Sequence, residues 1–93
     1  MSKSYFIHLT LKSDEDVECF AKFNLGQKRE LATSLFRQLK GSRNVSEKDV
    51  LHMEFIEMEN DLPLSIDMIA CTLADIGENS KTITRELFKS KLL

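Results

Sequence analysis

From Tyr5 to Lys12 the chain alternates, with Tyr5, Ile7, Leu9 and Leu11 on one side and Phe6, His8, Thr10 and Lys12 on the other. A period of two with aromatic and branched residues predicts a half-buried strand. Ser13-Asp14-Glu15-Asp16 supplies a polar turn. Val17, Cys19, Ala21 and Phe23 then alternate with Glu18, Phe20, Lys22 and Asn24, predicting a second strand and a hairpin. The period changes over Gln27 to Lys40, where Leu31, Leu35, Phe36 and Leu39 fall at helical spacing. Fourteen helical residues span about 21 Å, and Gly41 follows where a helix commonly ends in the left-handed region.

Ser42 to Asp49 reads as a polar loop. Val50 to Asn60 fits two patterns. Leu51, Met53 and Phe55 alternate as in a strand, while Leu51, Phe55 and Met58 fit a helix that Ser46 to Asp49 could cap. The next segment decides for strand. Asn60-Asp61-Leu62-Pro63 is a turn cluster, and Leu64, Ile66, Met68 and Ala70 alternate against Ser65, Asp67, Ile69 and Cys71. A second helix follows, with Thr72 and Asp75 as its cap and Leu73, Ile76, Ser80, Ile83 and Leu87 as its apolar stripe, which Phe88 widens. Lys89 and Lys91 suit its negative pole. Gly77 inside it implies either close packing on the sheet or a break.

The predicted order is strand-strand-helix, twice: an α+β fold, ββαββα, with a four-stranded mainly antiparallel sheet and two helices packed on one face. Residues 4–41 and 50–91 are the two halves of a possible repeat. Ser34-Leu35-Phe36-Arg37 and Glu86-Leu87-Phe88-Lys89 occupy similar places near the helix ends, and the second helix is expected to be about one turn longer.

Ninety-three residues make a single domain and leave no room for a two-domain cofactor enzyme. The N-terminus lacks the unbroken apolar stretch of a signal peptide, and no apolar run spans a bilayer, so a cytoplasmic protein without a membrane partner is expected. Cys19 and Cys71 form no C-x-x-C motif and read as reduced thiols, Cys19 toward the core and Cys71 outward. His8 and His52 lack a close second ligand, so no metal is called for. No G-x-S-x-G, P-loop or G-x-G-x-x-G occurs, so neither catalysis nor a cofactor is expected, and a small enzyme or metal-binding protein using His8 and His52 on the outer face is the second alternative to a binding role.

Two surfaces carry candidate binding chemistry. The sheet face away from the helices is expected to hold Phe6, His8, Phe20, Ile56 and Ile69, more apolar than a solvated sheet face, and suggests a homodimer or another protein partner. Charge is also divided. Gln27 to Arg43 holds five bases against one acid and Ser80 to Lys91 four against one, which leaves −9 for the remainder of a chain whose net charge is −2. Basic helices are ordinarily a solvated face, and the alternative is an acidic partner or RNA.

Leu73-Ala74-Asp75-Ile76-Gly77-Glu78-Asn79-Ser80-Lys81-Thr82-Ile83-Thr84-Arg85 resembles the helix-turn-helix of bacterial repressors. The resemblance implies a turn at Gly77 and a second helix whose Ser80, Lys81, Thr84 and Arg85 face DNA. Glu78 departs from that pattern, which places an apolar residue there, and Ile66 to Cys71 reads as a strand where the first helix should begin.

Overall fold

The computed structural model describes residues 3–46 and 48–92. The elements follow the order β1 (Lys3–Lys12), β2 (Val17–Gly26), α1 (Arg29–Arg37), β3 (Leu51–Glu59), β4 (Leu62–Cys71) and α2 (Leu73–Leu92). The strands form one antiparallel sheet in the order β2-β1-β3-β4, so the two halves meet where β1 pairs with β3. Tyr5, Ile7, Met53, Phe55 and Ile69 project from the sheet against Ala32, Leu35, Phe36 and Ile83 of the helices, and this layer is the core. Both hairpins close locally. Ser13 N–H donates to the Asp16 carbonyl at 2.8 Å, and Asn60 and Asp61 both take positive φ, as the centre of a tight hairpin turn requires.

The two hairpins are built to one register. Adding 46 to every pair from Phe6–Asn24 to Lys12–Val17 gives the pairs from His52–Ala70 to Met58–Pro63. One bulge coincides as well: Phe20 is skipped between the partners of Leu9 and Thr10, and Ile66 between those of Phe55 and Ile56, while a second bulge in β2, at Leu25, has no counterpart in β4. His8 and Glu54, also 46 apart, pair with each other, so an approximate two-fold axis passes between them.

These bulges overturn the simple alternation expected for β2 and β4. Each extra residue puts the residues before and after it out of phase, so those on one side of the bulge face opposite to simple alternation. Cys19 therefore pairs with Thr10 and is exposed, instead of pointing into the core. Ile69 and Cys71 pack with the core, instead of lying on the outer face. Phe88, expected to widen the buried stripe of α2, is exposed.

The first helix is nine residues long, not fourteen. It ends early because the chain leaves to lie along β4, where Ser42 and Ala70 exchange backbone hydrogen bonds of 2.8 and 2.9 Å. Gly41 serves this close approach and not a left-handed helix end: a Cβ there would sit 2.9 Å from the Ala70 carbonyl oxygen. The freed backbone is held by Asn79 of α2, a buried side chain. Its Oδ1 accepts from Lys40 N–H at 2.7 Å and its Nδ2 donates to the Lys40 carbonyl at 2.8 Å. Asn79 lies on the stripe of α2 between Ile76 and Ile83, a place assigned to Ser80 from the sequence. Asp75 N–H donates to Thr72 Oγ1, and Thr72 N–H donates to Asp75 Oδ2, so the expected cap of α2 is present.

Two substitutions test this description. Asn79→Ala strands the Lys40 backbone groups and is expected to cost about 2–3 kcal/mol in chemical denaturation. Gly77→Ala meets nothing within 4 Å, and α2 runs unbroken through it. It is therefore expected to stabilise the protein by about 0.5–1 kcal/mol; a loss of stability would contradict a continuous helix.

Candidate functional site

The register places Phe6 opposite Ile56, His8 opposite Glu54 and Thr10 opposite His52 on the sheet face away from the helices. Phe6 is half-buried with its ring 6.2 Å from that of His8, and Ile56 is closely covered at 4% exposure. Phe20, the bulge residue of edge strand β2, is 59% exposed. Ile69, assigned to this face from the sequence, is in the core on the other side. One end of the outer face is shared with the loop before β3: Val45 and Ser46 line a hollow of about 410 Å³ with Thr10, His52, Glu54 and Met68. Thr10 and His52 are buried there. Desolvation by burial and the neighbouring Lys22 hold the His8 imidazole below its ordinary 6.5, partly opposed by Glu54.

The helix-turn-helix expectation does not survive. A single helix spans Leu73–Leu92 with no turn at Gly77, and Ile83, inside the supposed recognition helix, is completely buried. Glu78 is exposed and pairs with Lys81 at 4.0 Å, so the sequence avoids the buried charge that a turn there would impose. Ser80, Lys81, Thr84 and Arg85 do share one side of α2, around a shallow hollow of about 480 Å³ with Phe88. Two of their polar groups are spent within the helix: Ser80 Oγ donates to the Ile76 carbonyl and Thr84 Oγ1 to the Ser80 carbonyl, each at 2.8 Å.

A different cluster is brought together by the fold. Arg29, Thr33 and Arg37 lie four residues apart along α1, so they share one side of it. Beside them, Arg43 from the loop, Phe55 from β3 and Ile66 and Asp67 from β4 complete a cleft of about 660 Å³. Phe36 and Phe55 stack beneath it with ring centroids 5.2 Å apart, and the Arg43 guanidinium stands 5.9 Å from the Phe36 ring centroid. Arg29 lies 3.7 Å from the Glu57 carboxylate, and Arg43 pairs with Asp67. Arg37 makes no ion pair among the described residues. Three planar, permanently charged forks around one cleft can take a carboxylate or phosphate, because the fork matches both geometries. The basic balance of residues 27–43 was the sequence signal. Their convergence required knowing that the loop doubles back along β4.

Tyr5 and Glu57 lie beneath one rim of this region. Tyr5 Oη donates to Glu57 Oε1 at 3.0 Å, and burial, reinforced by that carboxylate, pushes the phenol above its usual value. The Cys71 thiol is pushed up to about 11, chiefly by burial and then by Asp75, so it is a poor nucleophile at neutral pH. Comparison with protein-family models, characterised proteins and solved structures finds no match to this chain.

The His8 shift has a sign that can be checked. A histidine whose folded value is depressed contributes stability above the unfolded value of 6.5, and loses it as pH falls through the folded value. The ring is expected to titrate below 6.5 by NMR, and His8→Gln to flatten the fall in stability between about pH 7 and pH 5.

Proposed function

We propose that this chain is a non-catalytic binding protein that holds an anionic partner in the cleft between α1 and the β3–β4 hairpin. The observation that carries the reading is the convergence of Arg29, Arg37 and Arg43 on one open cleft in a chain whose net charge is −2. Exposed ion pairs such as Arg43–Asp67 contribute little to stability, so three arginines there are better accounted for by recognition. Their existing partners, Glu57 and Asp67, keep the cleft close to neutral when empty, and a ligand carboxylate can compete for the same forks. The test is calorimetric titration with polyglutamate at low salt. Binding is expected to weaken at least about tenfold in the double variant Arg37→Glu/Arg43→Glu, to fall with added salt, and to be unchanged by Lys81→Glu on α2. Equal binding by the arginine variant would overturn the proposal.

A second reading, self-association through the outer sheet face, is favoured by the Phe6–Ile56 pair with half-buried Met58 and Met68 nearby and Phe20 exposed at the edge. Sheet-on-sheet packing would bury this surface. Sedimentation at high concentration is expected to show a dimer that Phe6→Glu or Phe20→Glu shifts to monomer. A monomeric unmodified protein ends this reading and leaves the cleft reading untouched.

A further inference from the structure

We infer that the occupant of the arginine cleft is an amphipathic acidic helix of another protein, which docks beside α1 and extends the helix layer over the uncovered part of β4. This inference rests on the cleft reading and specifies its partner.

The helix side of the sheet is not fully covered. α2 meets β4 and follows directly from its Cys71 end. The nine residues of α1 reach only about 14 Å against about 33 Å for the ten residues of β4, which leaves the Leu62 end open. Leu64 pairs with Glu57, which pairs with Tyr5, and Leu62 pairs with Glu59. Tyr5 packs in the core beneath the helices, so Leu62 and Leu64 stand on that same side of the sheet. They are 71% and 59% exposed, and Ile66 carries the apolar strip into the arginine cleft. The other hairpin shows that this strip is not a requirement of the fold. At the equivalent positions, 46 residues earlier, stand Asp16, Glu18 and Phe20. One half solvates most of its ledge with carboxylates, and the other keeps three aliphatic side chains beside three arginines. Leucine-type residues flanked by Glu or Asp are the complement of that surface.

Strand addition is the other way to occupy an edge, and β4 is closed to it. Pro63 has no N–H to offer. Met68 N–H already donates to Asp67 Oδ1 at 2.8 Å, Ala70 is paired with Ser42, and the bulge at Ile66 interrupts the ladder. These are the devices by which proteins block edge pairing. A partner must therefore approach the face, where a helix lying in a groove buries an apolar stripe without needing backbone hydrogen bonds. A duplex nucleic acid matches the arginines but leaves the aliphatic strip against solvent.

The probe is a synthetic peptide of about sixteen residues, roughly 24 Å as a helix, with leucines on one face and glutamates flanking them. Fluorescence anisotropy reads its affinity, and circular dichroism reads helix formation on mixing with the full chain. The expected result is binding with a gain of helix, weakened at least about tenfold by Leu64→Asp and likewise by Arg37→Glu/Arg43→Glu. Leu64 is exposed, so Leu64→Asp is expected to retain the wild-type melting transition. If a peptide with alanines in place of the leucines binds equally, or Leu64→Asp changes nothing while the arginine variant still weakens binding, the helix inference is overturned and the cleft reading stands. A DNA duplex of similar length that binds more tightly through the same arginines also overturns it. If no anionic probe responds to the arginine variant, both fall together.

Discussion

The antiparallel seam between β1 and β3 is the contact on which everything else depends. It runs from Lys3–Glu59 to Leu11–Leu51 and unites two strand-strand-helix units into one sheet. Only when Ile7 lies opposite Phe55, and Leu9 opposite Met53, does one side of the sheet become continuous enough for both helices to cover. A two-stranded hairpin alone has too small an apolar face to be stable in water. The seam also sets the surface. It places the His8–Glu54 pair on the approximate axis, brings Glu57 beside Tyr5, and leaves β2 and β4 as the two edges.

The element order and sheet composition were legible in the residues because alternation and helical spacing are strong along most of the chain. The side taken by particular residues was not. Neither Phe20 nor Ile66 differs from an ordinary strand residue, yet each is the extra residue of a bulge, and one such residue is enough to exchange the two faces. Cys19 and Ile69 were misplaced for this reason. The length of α1 was hidden as well, since Leu39 continues the helical stripe although the backbone has already turned toward β4. Asn79 takes the buried place that the spacing assigns to Ser80, and its role was hidden because its partner is backbone 39 positions away. The basic segment from Gln27 to Arg43 was visible as charge, but not as a cleft.

The near-identity of register between the halves makes their differences informative. The same backbone positions hold carboxylates in the first hairpin and leucines in the second. Shared geometry removes backbone architecture as an explanation for these contrasts. What remains is the chemistry of the side chains, and it separates one amphipathic flank rich in arginine from another kept polar. The devices that block the edge of β4 agree with this division, since they direct contact toward its face.

The seam has a further consequence for how the chain reaches this state. Each hairpin joins residues close in sequence, but β1 meets β3 only after the whole of β2, α1 and the loop has been spanned. Bringing such remote segments together is entropically expensive and slow compared with hairpin closure. Until it happens, neither unit has a finished interior, because Asn79 and Lys40, one from each half, have not met. Despite its internal likeness, the polypeptide is thus expected to fold as one cooperative unit instead of one half after the other.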